Sequence, residues 1–227
     1  MEIIPIIAKD ELARHLGADE FGKISRSTRL KIEKLETIFE KLVEPSLYHQ
    51  NTGIDSVEKG TVHLKEGPEF KSPKLSKMLK HCDDIIFYIA TLGDGVDSQI
   101  KRLMDKKHMA EAYILDAMAS VAADNMVETF HRRMKAEYKN QGKQVTLCFS
   151  PGYCDWPITE QKKLFKVLDS QDVEVDLNDS CLMTPRKSIS GVFGIHSNGE
   201  TPYNPCWDCN RTDCPSRRAP KKEGKKT

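Results

Sequence analysis

No apolar run in this chain approaches the roughly 20 residues that a membrane-spanning helix needs, so a membrane protein is not expected. A surplus of one charge sign is also lacking. Thirty-five Lys and Arg stand against 34 Asp and Glu, for a formal net charge of +1. That balance supplies no overall field to steer the chain towards nucleic acid or an acidic membrane surface. The opening residues, MEIIPIIAKDEL, have neither a basic stretch nor a long apolar core, so no export signal is expected. The seven cysteines then read as reduced thiols, metal ligands or cluster ligands of a cytoplasmic protein rather than as disulfides. There is no internal repeat and no interior linker. The seven histidines form no ligand motif, since His63, His81 and His131 fall in different elements.

What is present suits a globular protein. The chain has 227 residues, 38% hydrophobic and 30% charged, enough to bury a core without staples. Strands are expected over residues 2–7, 61–65, 85–90, 144–149, 173–177 and 188–195, from alternating polarity or short buried runs. Helices are expected from a Ser27 cap to Val43, over 73–81, through Val96 and Met104, over 109 to about 138, and from a Thr159 cap through Leu168. The middle of the longest helix, 116–124, is rich in small residues that let another backbone or a ligand approach closely. Strands and helices mix without a βαβ repeat. The expected fold is therefore α+β, with a twisted, largely antiparallel sheet on which the long helix and the others pack. Residues 1–200 would form that domain, 201–216 a cysteine-rich metal- or cluster-binding extension, and 217–227 a disordered basic tail.

Two segments invite a chemical reading. In the first, Pro151 and Gly152 force a tight turn after a strand, and Tyr153 projects from it. Gly152 leaves its backbone open to a ligand. Trp156, with Tyr153, either walls a flat ligand or plugs the core. In the second, Arg186 and Lys187 precede the strand residues Ser188 and Ser190, which share a face. The two cations either meet an anionic ligand or partner, or are solvated loop charges.

Taken in order, Ile89-Ala-Thr-Leu-Gly93, Phe149-Ser-Pro-Gly-Tyr-Cys-Asp-Trp-Pro157 and Ser180-Cys-Leu-Met-Thr-Pro-Arg-Lys-Ser-Ile-Ser-Gly191 resemble the reactivation domain of cobalamin-dependent methionine synthase. The likeness runs over roughly residues 80 to 205 and is nearest to stand-alone versions of that domain. It implies an S-adenosylmethionine cleft formed by Asp124, Ser150, Gly152, Tyr153, Trp156, Arg186, Ser188, Ser190 and Tyr203. Tyr153, the residue expected to act in catalysis, would face the upper side of a corrinoid. Asp124 would stand where the family has a longer carboxylate. Cys148 stands where methionine synthase has an arginine that grips the methionyl carboxylate, so that bidentate clamp is missing.

The C-terminal segment Cys206-x2-Cys209-x4-Cys214 has the spacing of a metal or cluster grip, and Pro215 follows its last cysteine. Cys154 and Cys181 are the candidates for a fourth ligand. Iron–sulfur, zinc and free thiols all remain open.

The expected function is reductive reactivation of a corrinoid (cobalamin) held by a partner, either a corrinoid-binding protein or the rest of a split methionine synthase, with S-adenosylmethionine as methyl donor. The chain would be a component of such methyl transfer rather than a complete enzyme. The alternative is an iron–sulfur or zinc protein of redox or interaction function on the same fold, without methyl transfer.

Overall fold

The computed structural model describes residues 3–197, 203–208 and 219–220. In chain order the elements are α1 (Lys9–His15), α2 (Arg26–Phe39), β1 (Ser46–Glu58), β2 (Thr61–Leu64), β3 (Phe70–Lys71), α3 (Pro73–Leu79) and β4 (Asp84–Thr91). They continue with α4 (Gly95–Asp105), α5 (Met109–Asn140), β5 (Gln144–Val145), α6 (Gln161–Val167), β6 (Asp176–Leu177), β7 (Met183–Thr184) and β8 (Ser188–His196). The fold is α+β, as expected. Its main sheet has six strands in the order β3-β2-β1-β4-β8-β5, and β6 and β7 form a separate hairpin. The pairs β1–β2, β2–β3 and β5–β8 are antiparallel. Among the described residues no helix is long and apolar enough to cross a membrane.

The chain divides into two compact units. One comprises Met1–His49, Tyr88–Arg133 and Ser170–Ser190, the other Gln50–Phe87, Met134–Asp169 and Gly191–Thr227. In the first, α5 is largely buried between Ala112 and Phe130, apart from an exposed stripe that includes Tyr113, Asp116 and Asp124. Ala112, Leu115, Ala119, Ala122 and Met126 are among its buried residues. Its Phe130 ring lies 5.2 Å from the His49 ring of β1 and 5.9 Å from Tyr88 of β4, so the helix packs directly on strands. The chain at 42–44 crosses the start of α4 at close range. Glu44 N donates to Leu92 O at 3.0 Å, and a Cβ on Gly95 would stand 2.5 Å from Leu42 O. In the second unit, Phe70, Leu75, Leu79 and Phe87 are buried, as are Phe193 and Ile195 of β8. Gly194 is required there: a Cβ would meet Cys82 Sγ and Leu79 Cδ2 at 2.5 Å.

Several local expectations are corrected. Residues 3–8 form no strand, and α1 follows them unanticipated. The cap of α2 is Ser25, whose Oγ accepts from Thr28 N at 3.1 Å, rather than Ser27. Ser25 takes that place because the helix begins one turn earlier than its apolar stripe. Thr159 does not cap α6 but lies inside a 3-10 turn, Ile158–Glu160, that leads into it. The strand expected over 144–149 contracts to β5, with Phe149 bridging separately to Val192. That expected over 173–177 contracts to β6, which pairs with the unanticipated β7. The 13-residue β1 was hidden by its polarity and by a turn-like Asn51-Thr-Gly53. Gly53 serves packing here: a Cβ would stand 2.7 Å from Lys65 Cδ, and Lys65 N donates to Gly53 O at 3.0 Å.

Candidate functional site

In the second unit the chain leaves the Phe149–Val192 bridge and folds tightly over 150–156. Gly152 N donates to Trp156 O at 2.8 Å and Trp156 N to Tyr153 O at 3.0 Å. Gly152 has φ +89°, the left-handed region that glycine favours, and a Cβ there would press on Ile158 Cδ1 at 3.2 Å. The closure turns two aromatic residues opposite ways. Trp156 is 1% exposed, stacked on Phe149 at 5.7 Å and edge-on to Phe70 at 5.9 Å. Tyr153 stays 57% exposed. Of the two readings open for Trp156, packing in the core is the one this arrangement carries.

Two carboxylates fasten the segment to α3 and its approach. Asp155 accepts from Ser72 Oγ and from Lys74 N. Glu160, itself buried, accepts from Lys71 N at 2.9 Å and pairs with Lys163 at 2.7 Å. Tyr153 therefore rides on a loop held at its far end by charge-assisted bonds.

Tyr203 is tied to the same helix. Its hydroxyl donates to Asp208 Oδ2 at 2.9 Å, and Lys77 Nζ lies 5.7 Å from its ring centroid and 3.4 Å from Asp208. Burial, then Asp208, then the nearby charges of Asp155 and Cys154 push the Tyr203 phenol well above its ordinary value, so it stays protonated. The Tyr203 bond first, and Lys77 further down, hold Asp208 below its usual range against the opposing effect of burial.

In the first unit the segment around the cis Thr184–Pro185 peptide is held from several directions. Ser188 Oγ donates to Pro185 O at 2.7 Å and lies 2.8 Å from Thr91 Oγ1. Leu92 N donates to Lys187 O at 3.1 Å, and Arg186 N to Asp97 Oδ2 at 2.6 Å. The Lys187 ammonium reaches α5, 2.8 Å from Asp116 Oδ1 and 2.9 Å from Ser120 Oγ. Of the two loop cations, Lys187 is thus engaged within the fold, while the Arg186 side chain is exposed. Ser188 and Ser190 are both buried, at 8% and 5% exposure. Asp124 is exposed on α5, one further step of four along the stripe begun by Asp116 and Ser120.

Asp155, Glu160, Lys77 and Asp116 were not singled out in the sequence. Only Asp116 carried a signal, the four-residue spacing Asp116, Ser120, Asp124 in the otherwise apolar stretch 116–124. Of the proposed ligating cysteines, Cys154 is exposed, Cys181 is buried and Cys206 half-buried, while Cys209 and Cys214 lie outside the described residues. Among the described residues no three His, Cys, Asp or Glu side chains gather as a metal site.

Cys82 is distinct from all of these. Burial, with a smaller contribution from Asp83, pushes its thiol up to about 12. An unfolded thiol ionises near 8.5, so between that pH and about 12 the unfolded chain sheds a proton that the folded chain keeps. Stability contributed by this group is intact below that window and falls as pH rises through it. Alkylation of the native chain at pH 8.5, mapped by mass spectrometry, is expected to label the exposed Cys154 and spare Cys82. Equal labelling of both would refute the burial argument.

A family model described as vitamin B12 dependent methionine synthase, activation domain, matches residues 73–213, more than half of the chain. Among solved structures, a MetH reactivation domain bound to AdoHcy matches with a TM-score of 0.58 at 17% identity, covering 83% of this chain and 70% of that one. No curated protein matches.

Proposed function

This chain belongs to the family of vitamin B12 dependent methionine synthase activation domains, and from that premise we propose that it serves the reductive reactivation of a corrinoid held by another protein, with S-adenosylmethionine as methyl donor. The partner would be a corrinoid methyltransferase or carrier, or the remainder of a split methionine synthase, in the reducing cytoplasm. The carrying observation is the span of the family match, which takes in Asp124, the Pro151–Tyr153 turn, the 180–190 segment and Tyr203.

The donor set suits the charges of S-adenosylmethionine. Asp124 offers an exposed carboxylate to the ammonium group. Arg186 offers an exposed guanidinium to the carboxylate, from a backbone pinned by Asp97. That assignment gives a cation to replace the one missing at Cys148. Ser150 and Gly152 contribute the backbone of the turn, and Tyr203 an aromatic ring, its one hydroxyl proton being given to Asp208. Trp156, Ser188 and Ser190 are buried, and each shapes the segment that carries it. When bound, S-adenosylmethionine supplies an electrophilic methyl group. The exposed, stiffly mounted ring of Tyr153 presents a flat face to the macrocycle and excludes water from it.

Titration of the full chain with S-adenosylmethionine by calorimetry tests this reading. Saturable binding is expected. Asp124→Asn is expected to weaken it about 10–100-fold, the equivalent of one charged hydrogen bond. If neither S-adenosylmethionine nor a cobalamin-loaded corrinoid protein binds, the proposed function is wrong.

A further inference from the structure

The chain at 185–188 is tied to three elements of the first unit. At the end of β4, Thr91 Oγ1 lies 2.8 Å from Ser188 Oγ, and Leu92 N donates to Lys187 O at 3.1 Å. In the first turn of α4, Asp97 Oδ2 accepts from Arg186 N at 2.6 Å. The tie to α5 is made by a side chain: Lys187 Nζ stands 2.8 Å from Asp116 Oδ1 and 2.9 Å from Ser120 Oγ. The Lys187 side chain is 13% exposed and that of Asp116 51%. An ion pair open to water on one side adds little stability, and holding a long lysine in one conformation costs side-chain entropy. Net stabilisation therefore explains the bridge poorly. What the bridge does fix is the offset of the loop from α5.

That offset bears on two exposed charges. Asp116, Ser120 and Asp124 succeed one another at intervals of four on α5, so Asp124 lies about 6 Å beyond Ser120 along the helix axis. Arg186 adjoins Lys187 in the chain, its Cα about 3.8 Å away. Arg186 and Asp124 are the groups given above to the carboxylate and the ammonium of S-adenosylmethionine. Both of those charges are borne on one carbon atom, so the guanidinium and the Asp124 carboxylate have to converge on a single small group. Given that cleft assignment, on which this rests, we propose that Lys187 is a positioning residue for the amino-acid end of S-adenosylmethionine. Anchored on Asp116 and Ser120, it sets the spacing between Arg186 and Asp124 before the ligand arrives. The ties to β4 and α4 hold the loop's backbone, and the lysine bridge holds it against the helix that carries Asp124. Affinity is gained because less has to be ordered on binding.

The test is calorimetric titration of full-length variants with S-adenosylmethionine. Lys187→Met keeps the length of the stem and removes the charge, and Asp116→Asn removes the opposite charge at a half-exposed position. Each is expected to weaken binding roughly tenfold, the scale of lost preorganisation at a charged group. The two substitutions change the local charge in opposite directions. A direct effect of that charge on the ligand would move the affinities apart, whereas loss of the bridge lowers both. Lys187→Arg, which can still bridge to Asp116, is expected to recover most of the affinity. On an Arg186→Gln background, each substitution is expected to cost less than about twofold, because the group it positions is gone. If Lys187→Met does not fold, Asp116→Asn on the two backgrounds gives the same answer. Loss in these variants that disappears without Arg186 supports the positioning role. Affinities that move in opposite directions, an unchanged affinity, or an equal loss with and without Arg186 overturns it. Those three results leave the proposed function standing, since the unsubstituted chain binds S-adenosylmethionine in each. An unsubstituted chain that does not bind it overturns both.

Discussion

Trp156→Ala is expected to lower the unfolding free energy by about 3–5 kcal/mol, the range for removing a large buried aromatic residue. Two terms add. The indole loses its burial between Phe149 and Phe70, and the space left cannot collapse. Asp155 and Glu160 hold the backbone on either side, so the loop is not free to close over the void. A comparison with Trp156→Phe separates packing from polarity. The indole Nε1 is buried without a hydrogen-bond partner, and such a group carries a desolvation cost of about 1–3 kcal/mol. Phenylalanine removes that cost while keeping much of the stacking on Phe149. Trp156→Phe should therefore cost much less than the lost area alone implies. Urea denaturation of both variants checks this. A loss below about 1 kcal/mol in Trp156→Ala would show that the ring is not a structural plug.

Gly95→Ala carries the second large effect, and its sign is the informative part. At an ordinary helical position, replacing Gly by Ala gains about 1 kcal/mol. Here the new Cβ would lie 2.5 Å from Leu42 O and 3.3 Å from Leu42 C. Both are backbone atoms and cannot swing aside as a side chain would. Overpacking of this kind costs about 1–3 kcal/mol, occasionally more. The clash also strikes the crossing where Glu44 N bonds Leu92 O, so a shift of 42–44 strains that bond too. A net loss of about 2–3 kcal/mol is expected. Gly22→Ala is the control, because nothing lies within 4 Å of its Cβ. Thermal melts should show a clear fall for Gly95→Ala and almost none for Gly22→Ala. A stabilised Gly95→Ala would mean that the crossing at 42–44 is looser than described.

The legible parts of this protein are those whose signal is local. The all-apolar Ile85–Ala90 announces a strand covered on both faces, and β4 is that strand. The long period through Met109 and beyond announces α5, correct to within two residues at its end. The Pro-Gly turn announces itself by backbone restriction. The illegible parts depend on partners distant in sequence. β1 has too few apolar residues to be read alone and becomes a strand because β2 pairs with it across a bulge at Ile54–Ser56. Trp156 and Tyr153 look interchangeable as aromatic walls, yet Phe70, far away in the chain, draws one inward and leaves the other outside. Ser188 reads as a ligand-facing group and Lys187 as either a ligand-facing or a solvated cation, and their partners, Thr91 and Asp116, are supplied by other elements.

The sequence by itself determined the α+β class, the family likeness, the rigid turn at Pro151–Gly152 and the spacing of the C-terminal cysteines. Each of these resides in residues close together along the chain, where backbone restriction and periodicity act. Only the tertiary structure decided which polar groups are already engaged and which face solvent. Lys187 is neutralised by Asp116, and Arg186, its neighbour, is left exposed. Asp155 and Asp208 bring two cysteine-bearing segments to one helix. The reason is physical: a charge or a hydroxyl is satisfied by whichever partner the packed chain delivers to it, and one-dimensional spacing does not encode that delivery.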